Sequence, residues 1–167
     1  WSMPQVVDEV IGGECFLSTT SDGTLYAGTT ANDNDIHNEL GKTHARLLRS
    51  TDGGRSWSVT PIVLPEANWQ CMAWGCARSP ACTPNVVELS DGTLLLGVCI
   101  YTTNLAYLWR STDRGLTWRH GDVACSMPDG YHGMPYDNYD GFFSEDYTFE
   151  TAGGKLLHWI RVGPPSP

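Results

Sequence analysis

Three stretches of the chain share one pattern of apolar and polar positions: a short apolar run, a glycine-containing turn, then a second apolar run. They are Cys15 to Gly28, Pro84 to Val98 and Tyr147 to Ile160. β-Forming residues flank Asp22-Gly23, Asp91-Gly92 and Gly153-Gly154, and a glycine there tolerates the positive φ that tight turns require. The pattern predicts three β-hairpins, each closed by a two-residue turn. The turns lie 69 and 62 residues apart, a long-period repeat with room for inserted loops.

A second element follows each of the first two hairpins. Residues 49–57 read RSTDGGRSW and residues 110–118 read RSTDRGLTW. They are identical at six of nine positions, with a Ser/Thr exchange at a seventh. Each follows an apolar run, ARLL or AYLW. The composition predicts a compact turn. Asp52 and Asp113 accept hydrogen bonds from nearby backbone amides. Gly54 and Gly115 take conformations that other residues resist. Ser50 and Ser111 add hydroxyl bonds to the same turn. Trp57 and Trp118 open the next strand and pack beneath it.

These two nonapeptides resemble Asp-boxes, the repeat of bacterial neuraminidases, and the chain resembles the sialidase-like Asp-box β-propeller family from about residue 12 to residue 161. The resemblance implies an all-β fold, a six-bladed propeller of four-stranded antiparallel sheets. This chain supplies two and a half to three of the blades: about 12–60, about 82–120, and the start of a third at about 141–161. It implies a structural role for Ser50, Asp52, Gly54, Trp57, Ser111, Asp113, Gly115 and Trp118, on the rim away from the active site. It also implies that the remaining blades come from a missing part of the chain, a second chain or a homo-oligomer, because a propeller needs at least four.

The same resemblance implies a catalytic constellation. In that family a glutamate opens an inner strand and an arginine closes the next strand sixteen residues later. Glu145 and Arg161 match that spacing across the third hairpin. An arginine fork suits a carboxylate or a pair of sugar hydroxyls, and a neighbouring glutamate serves nucleophilic or positioning chemistry. The acid/base aspartate of the family falls in the loop of residues 31–44, where Asp33 and Asp35 are the candidates; His37 and His44 share that loop. The chain departs from the family at its first arginine: Gly12-Gly13-Glu14-Cys15 carries none. That departure favours a different glycoside, or binding alone, over sialic acid. Aromatic and acidic residues mix over 128–147, where Tyr131, Tyr136 and Asp137 are candidates for stacking on and hydrogen bonding to a sugar. Trp74 and Arg78, in a cysteine-rich stretch ahead of the second hairpin, are candidates at the pocket edge.

Composition narrows the class. The chain has 167 residues, enough for one sizeable core, and 41% hydrophobic residues, too many for a disordered chain. Ten Lys and Arg face 19 Asp and Glu, a net charge of −9, which argues against nucleic acid as a partner. No apolar run is long enough for a membrane span. Six cysteines, three of them at 71, 76 and 82, read as disulfides in an oxidising compartment and hence as a secreted, extracellular or periplasmic protein. No metal motif, phosphate loop or nucleophile elbow is present, so neither metal nor cofactor is expected. Two functions fit: a secreted glycoside hydrolase of sialidase-like architecture, or a non-catalytic propeller that binds carbohydrate or protein.

Overall fold

The computed structural model describes residues 6–7, 12–31, 45–62, 80–100, 105–126 and 143–162, and all of the regular structure among them is β-strand. Strands β1 (Gly12–Thr19), β2 (Leu25–Ala31), β3 (Ala45–Ser50) and β4 (Ser58–Ile62) form one antiparallel meander. Strands β5 (Pro80–Glu88), β6 (Leu94–Ile100), β7 (Leu105–Ser111) and β8 (Arg119–Ser126) form a second, and β9 (Phe143–Glu150) pairs with β10 (Leu156–Val162) in a hairpin.

The hairpin turns fall where the glycine pairs stand, but they are longer than two residues. In each, a β-turn bond closes on the glycine and a second bond closes the loop behind it. Gly23 N–H donates to Thr20 O (2.9 Å) and Thr20 N–H to Thr24 O (3.0 Å). Residues 89–93 and 151–155 repeat both bonds. Only the second residue of each pair has positive φ: Gly23 83°, Gly92 83°, Gly154 75°. In the first two hairpins an aspartate side chain braces the turn. The Asp22 carboxylate accepts from the Thr24 N–H (3.0 Å) and the Thr20 hydroxyl (2.8 Å), and Asp91 accepts from the Thr93 N–H (2.8 Å). The third hairpin makes the same pair of backbone bonds with Gly153 in the aspartate's place, so in all three the second glycine alone absorbs the reversal.

The sheets stack face to face like the leaves of a fan. β5 packs against β1, β2 and β3, while β9 packs against β5, β6 and the edge of β7. The first strand of each later sheet thus lies over the first two strands of the sheet before it, and β4 and β8 stand away from these contacts. A strand covered on both faces has no use for polar alternation. The middle sheet lies between the other two, and its run Leu94-Leu95-Leu96 is buried throughout; Leu47 and Leu48 of β3 are buried as well. Tyr26 and Val86 complete the seam between the first two sheets, and Ser18 Oγ accepts the Val86 N–H across it (3.0 Å).

Candidate functional site

The β3–β4 and β7–β8 turns are built alike. Asp52 accepts from the Ser56 hydroxyl (2.6 Å), the Ser50 hydroxyl (2.8 Å) and the amides of Arg55 and Ser56 (2.9 Å each). Asp113 accepts from the Thr117 hydroxyl (2.6 Å), the Ser111 hydroxyl (2.7 Å) and the Thr117 amide (2.9 Å). Ser50 Oγ and Ser111 Oγ in turn accept the N–H groups of Gly54 and Gly115. Trp57 and Trp118 donate their indole N–H groups to the carbonyls of Gly54 and Gly115, just ahead of β4 and β8. Bonds from Ser56 above all, then Ser50, hold the Asp52 carboxyl well below the usual range. Thr117 and Ser111 bring Asp113 to about 2. A carboxylate so strongly acidic, with both oxygens engaged, is a poor proton shuttle and a good turn brace.

These turns lie at the same end of their sheets as the hairpin turns, and the second one locks onto the first sheet. Tyr26 Oη donates to Arg114 O (2.8 Å), Arg49 Nε donates to the same carbonyl (2.9 Å), and Arg114 Nη1 lies 3.2 Å from Asp22 Oδ2. Arg114 has φ 57°, the one positive φ among described residues other than glycine, in the place that Gly53 fills in the first turn. Three partners on the neighbouring sheet hold it there.

The opposite end of the sheets carries the candidate chemistry. In the third hairpin Ile160 pairs with Asp146 and Val162 with Phe143, so Arg161 stands opposite the two residues Ser144 and Glu145 in a β-bulge. The first sheet has the same irregularity at the same level. Gly12 pairs with Ala31 and Cys15 with Thr29, which sets Gly13 and Glu14 opposite Thr30. Bulges of this kind re-aim strand ends and are common beside active sites. The register thus puts Glu14, Glu145 and Arg161 at one end of the first and third units, away from the hairpin turns. Glu14 was not among the sequence-based candidates. Its signal was present as the shared offset of Glu14 and Glu145 from their turns. Asp33, Asp35, Trp74, Arg78, Tyr131, Tyr136 and Asp137 lie outside the described residues, as do His37, His44, Cys71 and Cys76.

Midway along the same hairpin, Thr148 Oγ1 and His158 Nδ1 are 2.8 Å apart, and burial lowers the His158 pKa and favours the neutral ring. Among the described residues no group of three or more His, Cys, Asp or Glu is placed to hold a metal ion, and no helix is long and apolar enough to cross a membrane. Cys15 is a free, exposed thiol.

No family model matches the sequence, and no curated protein matches it. Among solved structures the chain is similar to a mutant α-L-arabinofuranosidase from Fusarium graminearum in complex with an iminosugar inhibitor. The TM-score is 0.59 at 16% identity, over 92% of this chain and 47% of that one. The chain has the fold of part of a β-propeller. It spans about half the length of the enzyme it resembles.

Proposed function

We propose that this chain supplies part of a secreted glycoside hydrolase of sialidase-like, six-bladed architecture, in which the two sheets and the hairpin are successive blades and a glycosidic bond is hydrolysed at the end of the first strands away from the hairpin turns. The observation that carries the reading is the bulge that sets Arg161 opposite Ser144 and Glu145, repeated around Glu14 in the first blade. Two carboxylates flanking one pocket are the recurring equipment of glycosidases, one as acid/base and one as nucleophile or water-activating base. In this reading Glu145 and Glu14 take those parts and Arg161 holds sugar hydroxyls. Asp33 or Asp35 supplies a further carboxylate, and Tyr131, Tyr136, Asp137, Trp74 and Arg78 line the sugar site.

A glutamate in the place of the family's first arginine also bears on substrate. A carboxylate there repels an acidic sugar, whereas a neutral glycoside needs no arginine clamp. The likeness to an arabinofuranosidase supports the same direction. A neutral exo-glycoside, arabinofuranosides included, is therefore preferred to a sialoside.

The test is hydrolysis of a panel of aryl glycosides, with an α-L-arabinofuranoside and a sialoside among them, by the complete propeller. Turnover of a neutral member that disappears in Glu145→Gln supports the reading. Turnover of the sialoside alone refutes the substrate assignment. Binding of a sugar with no turnover of any member identifies a non-catalytic propeller instead.

A further inference from the structure

The contacts between consecutive blades repeat. The Glu88 carboxylate, at the end of β5, accepts the Ser21 N–H (2.6 Å) and the Ser21 hydroxyl (2.8 Å) in the turn of the first blade. Glu150, at the end of β9, accepts the Ser90 N–H (2.7 Å) and the Ser90 hydroxyl (3.1 Å) in the turn of the second. The second and third blades thus each close on the one before through a carboxylate at the last residue of their first strand. The bonds are charge-assisted, short and two-pronged, which gives them geometric specificity.

The apolar faces repeat as well. The face that the first blade turns to the second carries Tyr26, 1% exposed. At the equivalent place the second blade has Leu95, 0% exposed, under the third. The third blade has Leu157 there, 49% exposed. Beside it, Phe149 pairs with Leu157 and Tyr147 with Trp159, which is 74% exposed. This face is continuous in kind with two faces that are already occupied, and it is apolar and open.

We infer that the face formed by Tyr147, Phe149, Leu157 and Trp159 docks a further blade whose first strand ends in a carboxylate, and that a second copy of this chain does not fill it. The turn of the third blade places Ala152 where the others have Ser21 and Ser90. Its N–H is the donor for that carboxylate, and the hydroxyl prong is missing. A second copy would have to present β1, and β1 ends in Thr19 at the position of Glu88 and Glu150. A threonine there offers no carboxylate to the Ala152 N–H.

Thr19 is exposed, so it can be changed without touching the core. Sedimentation velocity on the full chain, with tryptophan emission as a second readout, tests the inference. Wild-type chain is expected to remain monomeric. Thr19→Glu should create the missing carboxylate and tighten self-association at least about tenfold, with the tryptophan emission shifting to the blue as Trp159 is covered, a shift that Trp159→Phe removes. Adding Ala152→Ser should tighten it again by restoring the hydroxyl prong, whereas Thr19→Gln should do nothing. Circular dichroism establishes that each variant is folded. Two results overturn the inference. One is wild-type dimers that bury Trp159, which make a second copy the occupant. The other is a folded Thr19→Glu chain that associates no more tightly than wild type, which removes the carboxylate as the selector.

Discussion

The Tyr26 ring occupies the space that a side chain on Gly115 would need. A Cβ built there would lie 2.7 Å from Tyr26 Cε1 and 2.8 Å from its hydroxyl, and Gly115 has φ 74°. The phenol oxygen meanwhile donates to Arg114 O. One close approach therefore joins the second blade's turn to the core of the first. Gly115→Ala meets two costs, a left-handed backbone and a steric clash, together about 2–4 kcal/mol. Gly54→Ala meets only the first, because its Cβ finds Leu25 and Trp57 at an ordinary 3.7 Å, and should cost about 1–2 kcal/mol. Thermal or denaturant unfolding of the two variants checks the difference. Equal losses would show that the Tyr26 contact does not constrain the turn.

The Glu88 carboxylate holds the Ser21 amide across a separation of 67 residues in sequence. Glu88→Ala should expose that amide to solvent and speed its hydrogen exchange, while the Ser90 amide, held by Glu150, stays protected. Glu150→Ala should reverse the pattern. Loss of protection at both amides in either variant would mean that the blades separate as a unit.

Acid should loosen the rim before the core. Bonds from Thr24 above all, then Thr20, bring Asp22 to about 2, Asp113 is also at about 2, and Asp52 lies lower still. An unfolded aspartate titrates at roughly 3.9. Each carboxyl is thus depressed on folding, so its stabilisation is complete above the unfolded value and is lost as pH falls through the folded one. The melting temperature should fall from about pH 4 to about pH 2. Asp113→Asn should be less stable than wild type near neutral pH and should flatten that fall. Calorimetry across this range decides, and an unchanged slope in Asp113→Asn would free Asp113 of any part in the acid transition.

The parts of the fold that were legible in the sequence are those set by local chemistry. A D-G or G-G pair between β-formers marks a turn wherever it stands, and S-T-D-x-G closes on its own backbone. Relationships that depend on pairing register or on contacts between blades were not legible. A glutamate one or two residues before a polar turn reads as a solvated charge, and only the stacking of blades shows Glu88 and Glu150 to be clasps. The turn length was misjudged because a D-G or G-G pair between β-formers suits a two-residue turn and also this longer loop closed by two backbone bonds. At the candidate site, the spacing of Glu145 and Arg161 was readable. The shared offset of Glu14 and Glu145 from their turns was readable too, but the bulge beside each exists only once the strands are paired.

Cysteine pairing is limited by the same register. Cys99 and Cys125 each lie opposite Ala106, on its two sides, so their Cα atoms are two strand spacings apart, about 9–10 Å. A disulfide spans at most about 7 Å between Cα atoms. Non-reducing peptide mapping should therefore find any bridge from these two cysteines running elsewhere, and a Cys99–Cys125 crosslink would contradict the pairing of β6, β7 and β8.

The bulged strand ends give the functional proposal its sharpest test. If Glu14, Glu145 and Arg161 serve the scaffold, they are surface charges whose removal costs about 0–1 kcal/mol and leaves ligand binding unchanged. If they serve a glycosidase site, Glu145→Gln and Glu14→Gln should leave the melting temperature near that of wild type and lower kcat by about two or more orders of magnitude, the scale of a positioned acid or base. Arg161→Ala should act on KM as much as on kcat, because hydroxyl contacts hold the sugar before and during the reaction. The two glutamates can also be told apart. Azide supplies a small external nucleophile in either variant, and in a retaining enzyme the glycosyl azide formed has inverted configuration where the nucleophile is missing and retained configuration where the proton donor is missing. An aryl glycoside with an activated leaving group should spare the proton-donor variant, since its bond breaks without protonation. Full activity in all three variants would return these residues to the scaffold and move the search to the loop of Asp33 and Asp35.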